Sequence, residues 1–304
     1  MSEKLPNFLI VGMAKCGTSS LASYLQQHPD VFISSRKEPR FFTSQSTEIY
    51  PLNGPKDQAV MHWYVPDYEN YCKLFEGADE SMIGEASADT LYFYKYTIPL
   101  IKKYLDNPKI ILIIRNPVKR AFSAFQYLTM AEREEVSFEE GLELEGERIK
   151  SNWELIYHYR SVGNYYEPIK AFMENFSNVK VIISDELLSK PREVLTECFN
   201  FLGVSGDFEV NTSMKLNPSG IPKSRLLYNM IRKESVIKKG FRLIIRLFFP
   251  EKKSRVRLSN KLFASNLKKI SFSKNTEFEL KEYYKEEILK VSKLIGKDLS
   301  GWLN

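Results

Sequence analysis

The sequence predicts an α/β fold: a central parallel sheet with helices on both faces, followed by a helical, basic C-terminal portion. Three observations carry this reading. Short β-prone apolar runs at "NFLIVGM" (7–13), "KIILIIR" (109–115) and "NVKVIISDELL" (178–188) read as buried strands. Each is followed by a stretch with helical spacing of apolar residues, and strands alternating with helices imply parallel pairing. The first of these junctions, "FLIVGMAKCGTSSLASYL" (8–25), is a glycine loop between strand and helix.

Taken in order, the first run ends at Gly12, and Gly17 follows at the five-residue spacing of a phosphate loop. From Thr18 to Gln27 the residues Leu21, Ala22, Tyr24 and Leu25 share one helical face, and Pro29 closes the element. Residues 41–80, rich in aromatic residues, Pro and Gly, do not read as regular structure. Such an insertion either covers a site at the strand ends or is a packed surface excursion. "KIILIIR" is the clearest central strand; Asn116 as N-cap and Pro117 in the first turn then open the helix "NPVKRAFSAFQYL". "NVKVIISDELL" repeats the pattern of a strand running into a polar switch, and "PREVLTECFNFLGV" is an amphipathic helix stopped by Gly203. With no internal repeat and no low-complexity linker, residues 1–304 read as one domain.

Composition narrows the class. The 304 residues are 43% hydrophobic and 27% charged, which fits a globular chain with a real core. Three cysteines without a C-x-x-C pair argue against a disulfide framework and a Cys-based zinc site, and for a reducing compartment. The start lacks a signal-peptide layout and no apolar stretch approaches the ~20 residues of a membrane span, so a soluble, cytoplasmic protein is expected. The net charge of +6 is regional: residues 223–270 hold 15 Lys and Arg against only Glu234 and Glu251, leaving the rest net acidic. In that segment apolar and basic residues interleave at helical spacing. It reads as a peripheral contact to an anionic membrane, as a wall for an acidic acceptor, or as a solvated face; nucleic acid is not expected. His28, His62 and His158 are scattered, so no metal site is expected. His28 reads as a helix-end residue, and His62 beside Trp63 reads as packing, with a role as a second base the alternative.

The loop chemistry points to an anion. Backbone N–H groups, the positive end of the following helix, and the hydroxyls of Thr18, Ser19 and Ser20 make a site for a tetrahedral oxyanion. A Walker A loop needs Lys then Ser/Thr after its second glycine; here Thr18 follows Gly17 directly and Lys15 stands inside the loop. No Asp closes the strand "IILIIR", which ends in Arg115. A lysine and an arginine without a metal ligand suit phosphosulfate better than a magnesium nucleotide. Cys16, beside Lys15 at a helix start, is expected to have a lowered thiol pKa. Two rival readings are a P-loop kinase or NTPase with an atypical loop, and a membrane-peripheral nucleotide-binding module without activity.

On these residues the sequence resembles the sulfotransferases that use 3′-phosphoadenosine 5′-phosphosulfate (PAPS). It is most similar to the branch holding heparan sulfate sulfotransferases and their bacterial relatives. The resemblance implies a P-loop NTPase-like sulfotransferase fold and O-sulfation of a glycan, a glycolipid or a small alcohol without a metal. It assigns the 5′-phosphosulfate to the loop residues Lys15, Cys16, Gly17, Thr18, Ser19 and Ser20, with Lys15 stabilising the leaving group. "IIRNPVKRAFSAF" places Arg115 and Ser123 at the spacing that grips the 3′-phosphate. "SSRKEPRFF" (34–42) is similar to the K-E-x-x-F-F segment and nominates Glu38 as general base, with Lys37 beside it. "GEASADTLYF" (84–93) resembles E-K-[ST]-P-x-Y with Ala86 in place of the lysine, a departure from the heparan-type acceptor site. "GNYYEPIKAFMENF" and "ISDELLSKPREVLTECFNFLGV" continue the pattern, and "DLSGWLN" matches its L-x-x-W-L end. "NPSGIPKSR" (217–225) resembles the loop over the nucleotide, with Ser219, Gly220, Lys223 and Arg225 as contacts.

Overall fold

The computed structural model describes residues 4–212, 221–224, 265–268 and 270–304. Ser219, Gly220, Arg225 and nearly all of the basic segment 223–270 lie outside the described residues. The chain packs as two compact units, one of residues 1–125, 136–216 and 273–304, the other of 126–135 and 217–272.

The larger unit is built on five strands: β1 (Phe8–Ile10), β2 (Val31–Ile33), β3 (Met82–Ala86), β4 (Lys109–Ile114) and β5 (Val179–Ile183). They lie in the order β2-β3-β1-β4-β5, every pair parallel. Phe8–Ile10 and Ile110–Ile114 are wholly buried, as strands covered on both faces must be. The three apolar runs of the sequence are thus β1, β4 and β5. β2 and β3 were not legible as strands: "VFI" is too short for a periodicity, and "MIGEA" carries a glycine and a glutamate.

Helices flank this sheet in two groups. α1 (Thr18–Leu25) packs on the later helix Pro191–Leu202, while Tyr94–Tyr104 packs on Tyr166–Asn175, which in turn meets Lys274–Ile295. α1 has the predicted start and ends one turn's fraction early, with Gln26 as C-cap. The helix after β4, Pro117–Met130, is capped as read: the Lys119 N–H donates to Asn116 Oδ1 at 3.1 Å. Gly203 closes helix 191–202 with a left-handed φ of 86°, and the N–H groups of Gly203 and Val204 both return to the Phe199 carbonyl.

Residues 41–80 correct the sequence reading, because they do contain regular structure: the short helices Phe41–Ser44, Asp57–Met61 and Tyr68–Lys73. Aromatic stacking holds them. Phe41 lies flat on Tyr71 at 4.3 Å, meets Tyr104 edge-on at 5.0 Å, and Tyr68 stacks on Tyr104 at 5.1 Å. The Val65 N–H donates to the Pro39 carbonyl at 2.8 Å, and the Arg36 guanidinium donates to the His62 and Trp63 carbonyls. The insertion therefore buttresses the segment 36–40 from behind.

The smaller unit contains an antiparallel pair, Ile221–Pro222 with Leu267–Lys268. Among the described residues no helix is long and apolar enough to cross a membrane.

Candidate active site

The strand order places a topological switch beside β1. The connection leaving β1 runs through α1 to β2 on one side, whereas β4 leads to β5 on the other. Loops that diverge at the carboxyl ends of adjacent strands leave a crevice, where open α/β sheets bind ligands. Here the two diverging segments are Gly12–Gly17, after β1, and Arg115, after β4. A Cβ on Gly12 would lie 2.3 Å from the Ile113 nitrogen, so only glycine lets the loop leave β1 this close to β4. Gly17, at φ 104°, is the N-cap of α1 and makes the turn into it.

The loop then directs its donors outward. The Cys16 N–H returns to the Met13 carbonyl, and those of Ser20 and Leu21 share the Gly17 carbonyl. No acceptor among the described residues takes the N–H groups of Gly17, Thr18 or Ser19, which are the orphans of a helix start. Lys15 adopts φ 70°, a left-handed backbone that costs a non-glycine residue of order 1 kcal/mol and recurs at binding sites. Across the crevice, Arg115 Nη1 donates to the Lys15 carbonyl at 3.3 Å, while its buried Nε has no partner among the described residues. That unpartnered, buried N–H is an unmet demand for an acceptor. Ser123, 8% exposed, sits about two turns into the helix that follows, Pro117–Met130, without a hydrogen bond to Arg115.

Glu38 meets this crevice from the segment after β2. Its carboxylate lies 3.8 Å from Lys37 Nζ and 2.8 Å from the Arg40 guanidinium. Burial lowers the Lys15 pKa to about 8; the cations Lys37 and Arg115 add to the effect and Glu38 opposes it. Burial works against ionisation of Glu38, yet Arg40, Lys37 and Lys15 together hold it below the usual carboxylate range. The same four or five charges act on each other, so Lys15, Lys37, Glu38 and Arg115 form one electrostatic neighbourhood. Three cations and a carboxylate at an anion-binding loop can hold a multiply charged donor and take a proton from a neutral nucleophile.

The Cys16 expectation is corrected. Burial pushes its thiol up to about 11 despite the pull of Arg120 and Arg115, and Sγ faces the Tyr165 hydroxyl inside the protein. Only its backbone belongs to the loop surface. His28 is the buried helix-end residue anticipated, accepting from the Asp30 N–H at Nδ1 and leaving Nε2 to the Ser205 carbonyl. His62 is exposed rather than packed, and no contact among the described residues joins its ring to Glu38. Lys223 belongs to the smaller unit, where Nζ donates to the Ser265 carbonyl at 2.9 Å. Among the described residues no cluster of His, Cys, Asp or Glu has the form of a metal site.

Sequence reading missed the groups behind Glu38. Arg40 is 7% exposed and also contacts Tyr64, Asp89 and Glu154. Glu85, at the end of β3, is 1% exposed and accepts from Ser87 Oγ at 2.9 Å; burial raises its pKa to about 8. The one available signal was position: Arg40 is followed directly by two phenylalanines, which draw the backbone into the core.

Comparison with known proteins follows the same lines. The model of the Sulfotransferase family matches residues 6–208, about two thirds of the chain. The crystal structure of a sulfotransferase from Alicyclobacillus acidocaldarius is 33% identical, covers 99% of this chain and 100% of that one, and superposes with a TM-score of 0.74. A membrane-associated sulfotransferase, kil1, of Dictyostelium discoideum is 36% identical over 126 residues, 40% of this chain and 23% of its own length. A bifunctional heparan sulfate N-deacetylase/N-sulfotransferase 1 of Caenorhabditis elegans is 29% identical over 242 residues, 74% of this chain and 25% of its own. The chain thus spans about a quarter of the length of these curated relatives.

Proposed function

The chain belongs to the sulfotransferase family, and from that premise we propose that it transfers a sulfuryl group from PAPS to an acceptor hydroxyl on a carbohydrate, a glycolipid or a small alcohol. The observation that carries the donor assignment is Arg115. Its guanidinium bridges to the Lys15 carbonyl across the switch point and keeps a buried N–H without an acceptor among the described residues, the demand a phosphate oxygen meets. The donor supplies the sulfuryl group and departs as 3′,5′-diphosphoadenosine.

The protein's part is positioning and electrostatics, as in phosphoryl transfer. The N–H groups of Gly17, Thr18 and Ser19 and the Ser19 and Ser20 hydroxyls hold the 5′ anion at the positive end of α1. Lys15, already fixed in its loop conformation, neutralises charge that grows on the bridging oxygen. Arg115, with Ser123, holds the 3′-phosphate. Glu38, ionised at neutral pH, accepts the acceptor's proton. Lys37, exposed beside it, steadies the anionic groups of donor or acceptor. A relative named for heparan sulfate supports a sugar as acceptor.

Calorimetric titration with 3′,5′-diphosphoadenosine and with ATP, each with and without magnesium, tests this reading. Selective, metal-independent binding of the diphosphoadenosine is expected. Arg115→Ala is expected to weaken it by about 1.5–3 kcal/mol, the worth of a charged hydrogen bond. A preference for magnesium ATP refutes the assignment and restores the kinase reading.

A further inference from the structure

We propose that Arg40 is the positioning residue for the reaction's base: its guanidinium pins Oε2 of Glu38, so that Oε1 is the oxygen presented to the acceptor hydroxyl. The inference rests on the reading of Glu38 as base and goes beyond it by saying what holds that base and which oxygen works.

The geometry is specific. Arg40 Nη2 donates to Glu38 Oε2 at 2.8 Å. Oε1 accepts no hydrogen bond among the described residues, and the Lys37 ammonium lies 3.8 Å from it. Arg40 is itself clamped from three sides. Nη1 donates to Glu154 Oε1 at 2.9 Å and to the Tyr64 hydroxyl, Nε lies 3.8 Å from Asp89 Oδ2, and the backbone N–H donates to Ser87 Oγ at 3.1 Å. Glu38 and Arg40 both hold left-handed φ angles, 49° and 51°, on either side of Pro39. The backbone bends sharply about Pro39, and across this bend the side chains of Glu38 and Arg40 meet. Two non-glycine residues in that region persist only where their surroundings over-determine them.

The charge count separates a positioning role from ordinary packing. One buried guanidinium faces three carboxylates, Glu38, Asp89 and Glu154, of which Glu38 is the most exposed at 23% of its side chain. Around Glu38 stand Lys37 from its own segment, Lys15 from the loop after β1, and Arg40; around Arg40 stand Asp89 and Glu154, with Tyr64 from the insertion. Glu85 lies behind Ser87, and burial favours its neutral form, so it adds little negative charge at pH 7. Arg40 is therefore the foremost of the charges, with Lys37 and Lys15, that keep Glu38 ionised against burial. A fork-shaped donor clamped at both ends also fixes the carboxylate's rotation, which a lysine's point charge does not.

The test compares Arg40→Gln and Arg40→Lys with Glu38→Gln, using sulfate transfer and, as a check on folding, titration with 3′,5′-diphosphoadenosine. Arg40→Gln is expected to retain diphosphoadenosine binding, lose about 10²-fold in kcat through misplacement, and move the acid limb of kcat/KM up by about one pH unit or more. Arg40→Lys keeps the charge, so its acid limb stays near that of the parent while kcat still falls. A folded Arg40→Gln with parental kcat and acid limb overturns the proposal. Where Arg40→Gln fails to bind diphosphoadenosine, Arg40→Lys decides: parental kcat in that variant overturns it. Loss of the base reading is seen separately, as full turnover in Glu38→Gln.

Discussion

Lys15 gives the sharpest prediction because its protonation can be read in the rate. Burial, assisted by Lys37 and Arg115 and opposed by Glu38, lowers its pKa to about 8. The charged form is the one that stabilises a leaving phosphate, so activity belongs below that pKa and is lost above it. With a pKa near 8, roughly nine in ten molecules carry the charge at pH 7 and about one in ten at pH 9, so kcat/KM should fall about tenfold for each pH unit beyond 8. The value that appears in kcat/KM is that of the free enzyme, before an anionic donor raises it. Lys15→Arg stays charged throughout, so its residual activity should lack this limb. Lys15→Ala should lose ~10²–10³-fold in kcat, the scale for one transition-state donor, and should also lack the limb. The assay is sulfate transfer from labelled donor between pH 6 and 10, with diphosphoadenosine titration to verify folding. A profile that stays flat to pH 10 in the parent, or a limb near pH 8 that survives in Lys15→Arg, refutes the reasoning.

Other outcomes follow from the same structure. Glu38→Gln should lower turnover by ~10²–10⁴-fold while diphosphoadenosine binding survives, measured by calorimetry beside the rate assay. Glu85 is raised from 4.5 to about 8 by burial, so the folded state holds its proton more tightly than the unfolded chain. Its contribution to stability is intact below pH 4.5 and is lost as pH climbs through about 8, at a rate near 1.4 kcal/mol per unit. Glu85→Gln should flatten that slope, so that its stability relative to the parent rises from pH 5 to pH 8, by denaturant unfolding at several pH values. An unchanged slope would show that Glu85 does not carry it. Phe41→Ala, which removes a fully buried ring from its stack on Tyr71, should cost about 3–5 kcal/mol in the same assay. A loss below 1 kcal/mol would mean the insertion does not brace the Glu38 segment through this cluster.

Much of the fold was legible because it rests on short-range rules. The run 109–115 read as a central strand and 178–188 as a strand running into a polar switch, which the structure realises as β5 followed by a short helix, Ser184–Ser189; Gly203 and Asn116 announced helix boundaries through local backbone chemistry. The phosphate-type loop was legible for the same reason: Gly12, Lys15, Gly17 and Thr18 stand within seven positions of each other. Arg115 was found by its place at a strand end. β2, β3 and the helices of 41–80 were not, since three to six residues carry no period and their stability comes from aromatic contacts across the insertion.

The surroundings of the base were decided by packing. Arg40 and Glu154 stand 114 positions apart, and Arg40 and Ser87 47 apart, and no local pattern pairs them. Cys16 shows the same limit from the other side. Its neighbours in sequence, Lys15 and a helix start, argue for an acidic thiol, but the folded chain turns Sγ into the core, where desolvation outweighs every nearby cation. Hydrophobic periodicity and turn chemistry act over a few residues and survive in the bare sequence. Desolvation and the pairing of buried charges depend on which distant side chains share a low-dielectric space, and that exists only once the sheet and its insertion have assembled.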